Sequence, residues 1–104
     1  MTGASFVLIP ERSSVKIGGQ EVVVTRTQFR ILSLLVSEPG RVFDRAKLVE
    51  HAIGALVSER TVDVHIKEIR RKLGPLGDRI ETVRGSGYRY EEGTVAMSLS
   101  IIPA

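Results

Sequence analysis

Apolar residues recur along this chain with two different periods, and the change of period divides it into elements. From Phe6 to Val24 they fall in short β-rich runs, Phe6 to Ile9 (FVLI), Val15 to Ile17 (VKI) and Glu21 to Val24 (EVVV), separated by Pro10, Ser13-Ser14 and Gly18-Gly19. Such runs predict a small antiparallel sheet of three or four strands. Gly18-Gly19 reads as a hairpin turn rather than a phosphate-binding loop, since no Lys-Ser or Lys-Thr follows it and no helix opens there.

From Thr25 the period becomes helical. Thr25-Arg26-Thr27-Gln28 has the form of a capping box, flanked by Val24 and Phe29 at the positions of a hydrophobic staple. A helix is expected to start at Arg26, to bury Phe29, Leu32, Leu35 and Val36, and to end at Pro39-Gly40. Arg41 to Phe43 is a short extended link. Asp44 then caps a second helix with apolar positions at Leu48, Val49, Ala52 and Ile53, and Gly54 stands where a C-cap glycine belongs.

The third helical stretch, VSERTVDVHIKEIRRKL from Val57 to Leu73, combines an apolar line with dense charge. At about 100° per residue Val62, Ile66, Ile69 and Leu73 fall on one line and predict a core-facing side. Ser58 is the expected N-cap, Glu59 complements the positive helix end, and Gly74-Pro75 stops it. Arg60, Asp63, Val64, Lys67, Glu68 and Arg71 occupy the opposite side, with Arg70 and Lys72 on its flanks and Thr61 and His65 near the Lys72 edge. Val64 lies amid polar residues, where a helix entering a DNA major groove can use it against a thymine methyl group. A solvated charged face is the competing reading of the same pattern. Beyond Gly74, Ile80 to Val83 (IETV) and Tyr88 to Tyr90 (YRY) predict a β-hairpin around Arg84-Gly85-Ser86-Gly87, with an arginine at its tip.

Composition narrows the chemistry. At 104 residues the chain is one domain with a modest core. The absence of cysteine excludes disulfides, Cys-ligated zinc and thiol catalysis. Gly85-Ser86-Gly87 lacks the strand-to-helix setting of a nucleophile elbow, and His51 and His65 lack metal-ligand spacing. No catalytic residue, metal or cofactor is therefore expected, and the chain does not read as an enzyme. Neither a membrane span nor a signal peptide is evident, so a cytoplasmic location is expected. Net charge is only +3, but Lys and Arg outnumber Asp and Glu between Val57 and Tyr90, and such a local basic patch favours a polyanionic partner.

The blocks Thr25 to Glu50 (TRTQFRILSLLVSEPGRVFDRAKLVE), Arg60 to Gly74 (RTVDVHIKEIRRKLG) and Ile80 to Tyr90 (IETVRGSGYRY) resemble, in that order, the DNA-binding effector domain of OmpR/PhoB-type response regulators. The resemblance implies an α+β winged helix-turn-helix fold: an N-terminal four-stranded antiparallel sheet, three helices with the third in the major groove, and a C-terminal β-hairpin wing at the minor groove. It implies a transcriptional regulator that binds double-stranded promoter DNA as head-to-tail dimers on direct repeats. It also implies a contact with RNA polymerase through the loop between the second and third helices. By position, Arg60, Thr61, His65, Lys67 and Arg70 correspond to phosphate contacts. Asp63, Val64, Glu68 and Arg71 face the bases, and Arg84 is the minor-groove arginine of the wing.

The sequence also departs from the family pattern. Glu68 stands where a basic reader is common; it is expected either to accept from cytosine N4 or to pair with Lys72. Ile53 replaces a common tryptophan and the loop from Ala55 to Val57 is short. No receiver domain is present in the 104 residues, as in an excised or stand-alone effector. The expected division is an extension over residues 1–5, a winged-helix domain over 6–90 and a tail over 91–104. In that tail Val95, Met97, Leu99 and Ile101 alternate with small residues as in an added strand. The rival function is a winged-helix module that binds protein, with its basic face merely solvated.

Overall fold

The computed structural model describes residues 6–53 and 59–91. Strands β1 (Phe6–Ile9), β2 (Ser14–Ile17) and β3 (Gln20–Val23) form an antiparallel meander. A short 3-10 turn, Pro10–Arg12, joins the first two. Ile17 pairs with Gln20, so the turn between β2 and β3 contains only Gly18 and Gly19, and both have positive φ, 55° and 86°. That combination matches the right-handed twist of the strands, which is why two glycines stand there. Leu8 and its cross-strand partner Val15 are buried, so one face of the sheet closes over the core. Among the described residues this sheet has three strands rather than the four implied by the resemblance.

Helix α1 (Arg26–Ser37) starts where the capping box predicts. The Thr25 hydroxyl oxygen accepts from the Gln28 amide and Gln28 Oε1 accepts from the Thr25 amide, both at 3.1 Å, which satisfies two amides that helix geometry leaves unpaired. Asp44 caps α2 (Arg45–Leu48) by accepting from the Lys47 amide at 2.7 Å. The second helix is shorter than expected: after Leu48 the chain widens into a π-helical segment, Val49–Ile53. Gly54 and Ser58, the expected C-cap and N-cap, and Val95, Met97, Leu99 and Ile101 of the expected added strand, lie outside the described residues. Helix α3 runs over Arg60–Leu73 with Glu59 at its N-cap position, and the Glu59 side chain makes no capping hydrogen bond.

A 3-10 segment, Gly74–Arg79, leads into β4 (Ile80–Val83), and β5 (Gly87–Tyr90) returns antiparallel to it. The segment from Arg41 to Phe43 is more than a link. Phe43 and Tyr88 exchange two backbone hydrogen bonds, 2.8 and 3.0 Å, and the Gly40 amide donates to Tyr90 at 2.8 Å, so this segment lines the outer edge of β5. The two chains approach so closely that a Cβ built on Gly87 would meet the Phe43 carbonyl oxygen at 2.2 Å; only glycine fits.

One core joins these pieces. Ile31, Leu32 and Leu35 of α1, Leu48 of α2, Val62, Ile66 and Ile69 of α3, and Ile80 and Tyr90 of the hairpin are buried together. The sheet–helices–hairpin order is the α+β winged-helix arrangement. None of the described helices is long and apolar enough to cross a membrane.

Candidate nucleic-acid interface

Helix α3 carries two series with the same spacing. Val62, Ile66, Ile69 and Leu73 are buried. Arg60, Val64, Lys67 and Arg71 begin two residues earlier, a rotation of about 200°, and therefore form a stripe on the far side of the helix. All four are exposed, Val64 at 59% relative accessibility. The unusual apolar position is thus held in solvent by the helix phase itself.

The two flanks of this stripe differ. On the flank nearer the hairpin, Asp63 Oδ1 accepts from the Tyr88 hydroxyl at 2.5 Å and from Arg45 Nε at 2.7 Å. The Tyr88 hydrogen bond is the largest influence holding the Asp63 carboxyl below its ordinary range, against the opposing effect of burial and with further help from Arg45 and Arg60. The Tyr88 hydroxyl is pushed up, first by burial and then by its bond to Asp63, so it stays a protonated donor. Arg70, on the same flank, donates through Nε and Nη2 to the Ile80 carbonyl at 3.0 and 2.7 Å, and through Nη2 to Thr82 Oγ1 at 2.8 Å. Asp63, expected to read bases, and Arg70, expected to hold phosphate, are both turned toward the protein.

On the other flank, Lys72 Nζ donates to Gln28 Oε1 at 2.9 Å. Glu68 therefore does not pair with Lys72 as the four-residue spacing suggested; its Oε1 accepts from Arg71 Nη2 at 2.8 Å. Gln28, buried in the first turn of α1, offers Lys72 an acceptor that the helical wheel of α3 does not display. The Arg71 bond is also the main reason the Glu68 carboxyl titrates below its ordinary range. Thr61 and His65 are half-buried on this side.

At the end of the hairpin, the Ser86 amide donates to the Val83 carbonyl at 2.8 Å and closes the turn that presents Arg84. Arg84 and Lys67 are exposed and, among the described residues, make no hydrogen bond or ion pair. The structure thus brings Arg60, Val64, Lys67, Glu68 and Arg71 onto one surface and places Arg84 on the hairpin that α3 holds. Sequence reasoning passed over Arg45 and Tyr88, which lie 18 and 25 residues from Asp63. No local spacing signals such pairs.

The chain resembles known transcriptional regulatory proteins in sequence and in fold. Residues 19–90 match the family described as "Transcriptional regulatory protein, C terminal". Over 87 residues the chain is 40% identical to the phosphate regulon transcriptional regulatory protein PhoB of Escherichia coli, an alignment covering 80% of this chain and 38% of that protein. The chain thus spans well under half the length of this curated relative. In structure it resembles the DNA-binding domain of the response regulator AdeR in complex with an intercistronic region, with a TM-score of 0.77 and 30% identity over 89% of this chain and 100% of that one. It also resembles the Klebsiella pneumoniae RstA DNA-binding domain in complex with the RstA box, with a TM-score of 0.72 and 30% identity over 88% of this chain and 95% of that one.

Proposed function

We infer that this chain, which belongs to the transcriptional regulatory protein C-terminal family, binds promoter DNA sequence-specifically as the effector domain of an OmpR/PhoB-type response regulator. The observation that carries this reading is the exposed stripe Arg60, Val64, Lys67 and Arg71, set opposite the buried line of the same helix. A B-DNA major groove about 12 Å wide admits one α-helix. A stripe of three cations around one valine suits it, because Arg60 and Lys67 can neutralise phosphates, the Arg71 guanidinium can bond a guanine edge, and the methyl groups of Val64 can meet thymine.

Within that reading Val64, Glu68 and Arg71 face base edges, and Arg60, Thr61, His65 and Lys67 contact phosphates. The Glu68–Arg71 bond exists in the free protein. Both groups are exposed enough to re-pair on DNA, Arg71 with guanine and Glu68 with cytosine N4. Arg84 enters the adjacent minor groove, preferring A·T-rich sequence where that groove is narrow and its potential most negative. Asp63 and Arg70 belong to the support of the wing. The likeness to the AdeR and RstA DNA-binding domains, in complex with an intercistronic region and with the RstA box, supports the DNA-binding reading. Following the resemblance, head-to-tail pairing on direct repeats and a polymerase contact through the loop after α2 complete the proposal. Residues 54–58 of that loop lie outside the described residues.

Site selection from random DNA, followed by titration at several salt concentrations, tests it. Arg71→Ala should weaken the selected site by on the order of tenfold and relax base preference. Lys67→Ala should weaken all sequences alike and reduce the salt slope by about one unit. A protein that selects no motif and shows no salt dependence is a protein-binding module instead.

A further inference from the structure

The hairpin is fastened to α3 at two heights. Near the start of the helix, the Tyr88 hydroxyl donates to Asp63 Oδ1. Seven residues on, about 10 Å along the axis, Arg70 grips the Ile80 carbonyl and the Thr82 hydroxyl. Thr82 and Tyr88 are direct cross-strand partners, so both fastenings act on the same rung of the ladder. Relative to α3, one fastening fixes a single point of that rung, whereas two separated along the helix axis fix its direction. The tip residue Arg84 lies only two residues past Thr82, so the angle of the rung sets where Arg84 reaches.

The Asp63 end is the more heavily built. Arg45 of α2 donates to the same carboxylate oxygen at 2.7 Å, and its guanidinium lies 5.5 Å from the centre of the Tyr88 ring, with that of Arg70 at 5.7 Å. Backbone hydrogen bonds to Phe43 hold Tyr88 from its other edge. A carboxylate one residue before Val64 would repel phosphate if it were free. Here a hydroxyl and a guanidinium engage it, and its charge is turned to positioning.

Resting on the DNA-binding reading above, we propose that Asp63 is a positioning residue for specificity. Acting through Tyr88, it fixes the angle between α3 and the hairpin. It thereby sets the number of base pairs between the major-groove positions read by α3 and the minor-groove position reached by Arg84.

Selection of sites from random DNA by the wild-type chain, Asp63→Ala and Tyr88→Phe tests this. The wild type should select a major-groove motif with an A·T preference at one fixed distance. Both variants should keep that motif and the wild-type salt slope, while the A·T preference spreads over neighbouring positions and loses its sharpness. Tyr88→Phe keeps the packed ring and removes only the hydroxyl, so it carries the test if Asp63→Ala fails to fold. Variants that bind more weakly overall but keep the A·T position as sharp as in the wild type overturn the proposal, since a purely structural role predicts that pattern. A wild-type motif with no A·T position overturns it too. If the wild type selects no motif, the DNA-binding reading itself has failed, a result distinct from either.

Discussion

The hairpin-facing flank and the outward stripe of α3 carry similar side chains in opposite circumstances. On the flank, Asp63 and Arg70 are bound to groups 10 to 25 residues away in sequence and tie three elements together. On the stripe, Arg60, Val64 and Lys67 are exposed, and among the described residues Arg71 reaches only to Glu68 on its own helix. A charge on a helix is therefore no guide to its task. What decides is whether an acceptor from another element stands opposite it, because a satisfied guanidinium has few donors left for a phosphate.

The largest test of this contrast sets the buried line against the stripe. Ile66 is fully buried, and Ile66→Ala should destabilise the domain by about 2–5 kcal/mol through lost burial and the cavity left behind. Val64→Ala, on the exposed side, should stay within about 0.5 kcal/mol. Denaturant unfolding of the two variants measures both. Comparable losses would mean that Val64 is packed and not presented.

A smaller effect separates the two arginine-rich surfaces. Arg70→Ala leaves the Ile80 carbonyl and the Thr82 hydroxyl without their donor and should cost about 1–3 kcal/mol of stability. Lys67→Ala should leave stability nearly unchanged and appear only in DNA binding. If Arg70→Ala leaves the denaturation midpoint at the wild-type value and weakens every DNA sequence equally, Arg70 belongs with the phosphate contacts after all.

The smallest effect is a pH dependence. The Asp63 carboxyl is depressed chiefly by the Tyr88 hydrogen bond, so the stability it contributes is present above its unfolded value of about 4 and is lost as pH falls through the lower folded one. Tyr88 is raised, so its share is present below about pH 10 and is lost as pH rises through its folded value. Asp63 is half-exposed, which keeps the acid effect modest. Asp63→Asn should flatten the acid limb of the stability profile; an acid limb as steep as that of the wild type would show that the pair is not coupled to folding.

Much of this arrangement is local and was legible in the sequence. Thr25 and Gln28 lie three residues apart, and a helix start suffices to join them. Asp44 caps α2 for the same reason. The stripe and the buried line of α3 follow from a 3.6-residue period acting on the order of residues. The Gly18-Gly19 turn follows from strand twist. The order of the elements followed from the same periods, whereas the expectation that Arg84 enters a minor groove came from the family resemblance, which no period contains.

Tertiary structure alone decided which of the outward charges on α3 are free. Lys72 meets Gln28 across 44 residues, Asp63 meets Tyr88 across 25, and Arg70 meets Thr82 across 12. Each pair forms because packing of the buried line brings two distant elements within reach, and unsatisfied polar groups at the resulting seam then take the partners that stand there. A helical wheel ranks residues by angle around one axis and contains no neighbouring element. It can therefore separate the buried side of α3 from the exposed side, but not a carboxylate that fastens a hairpin from one that reads a base.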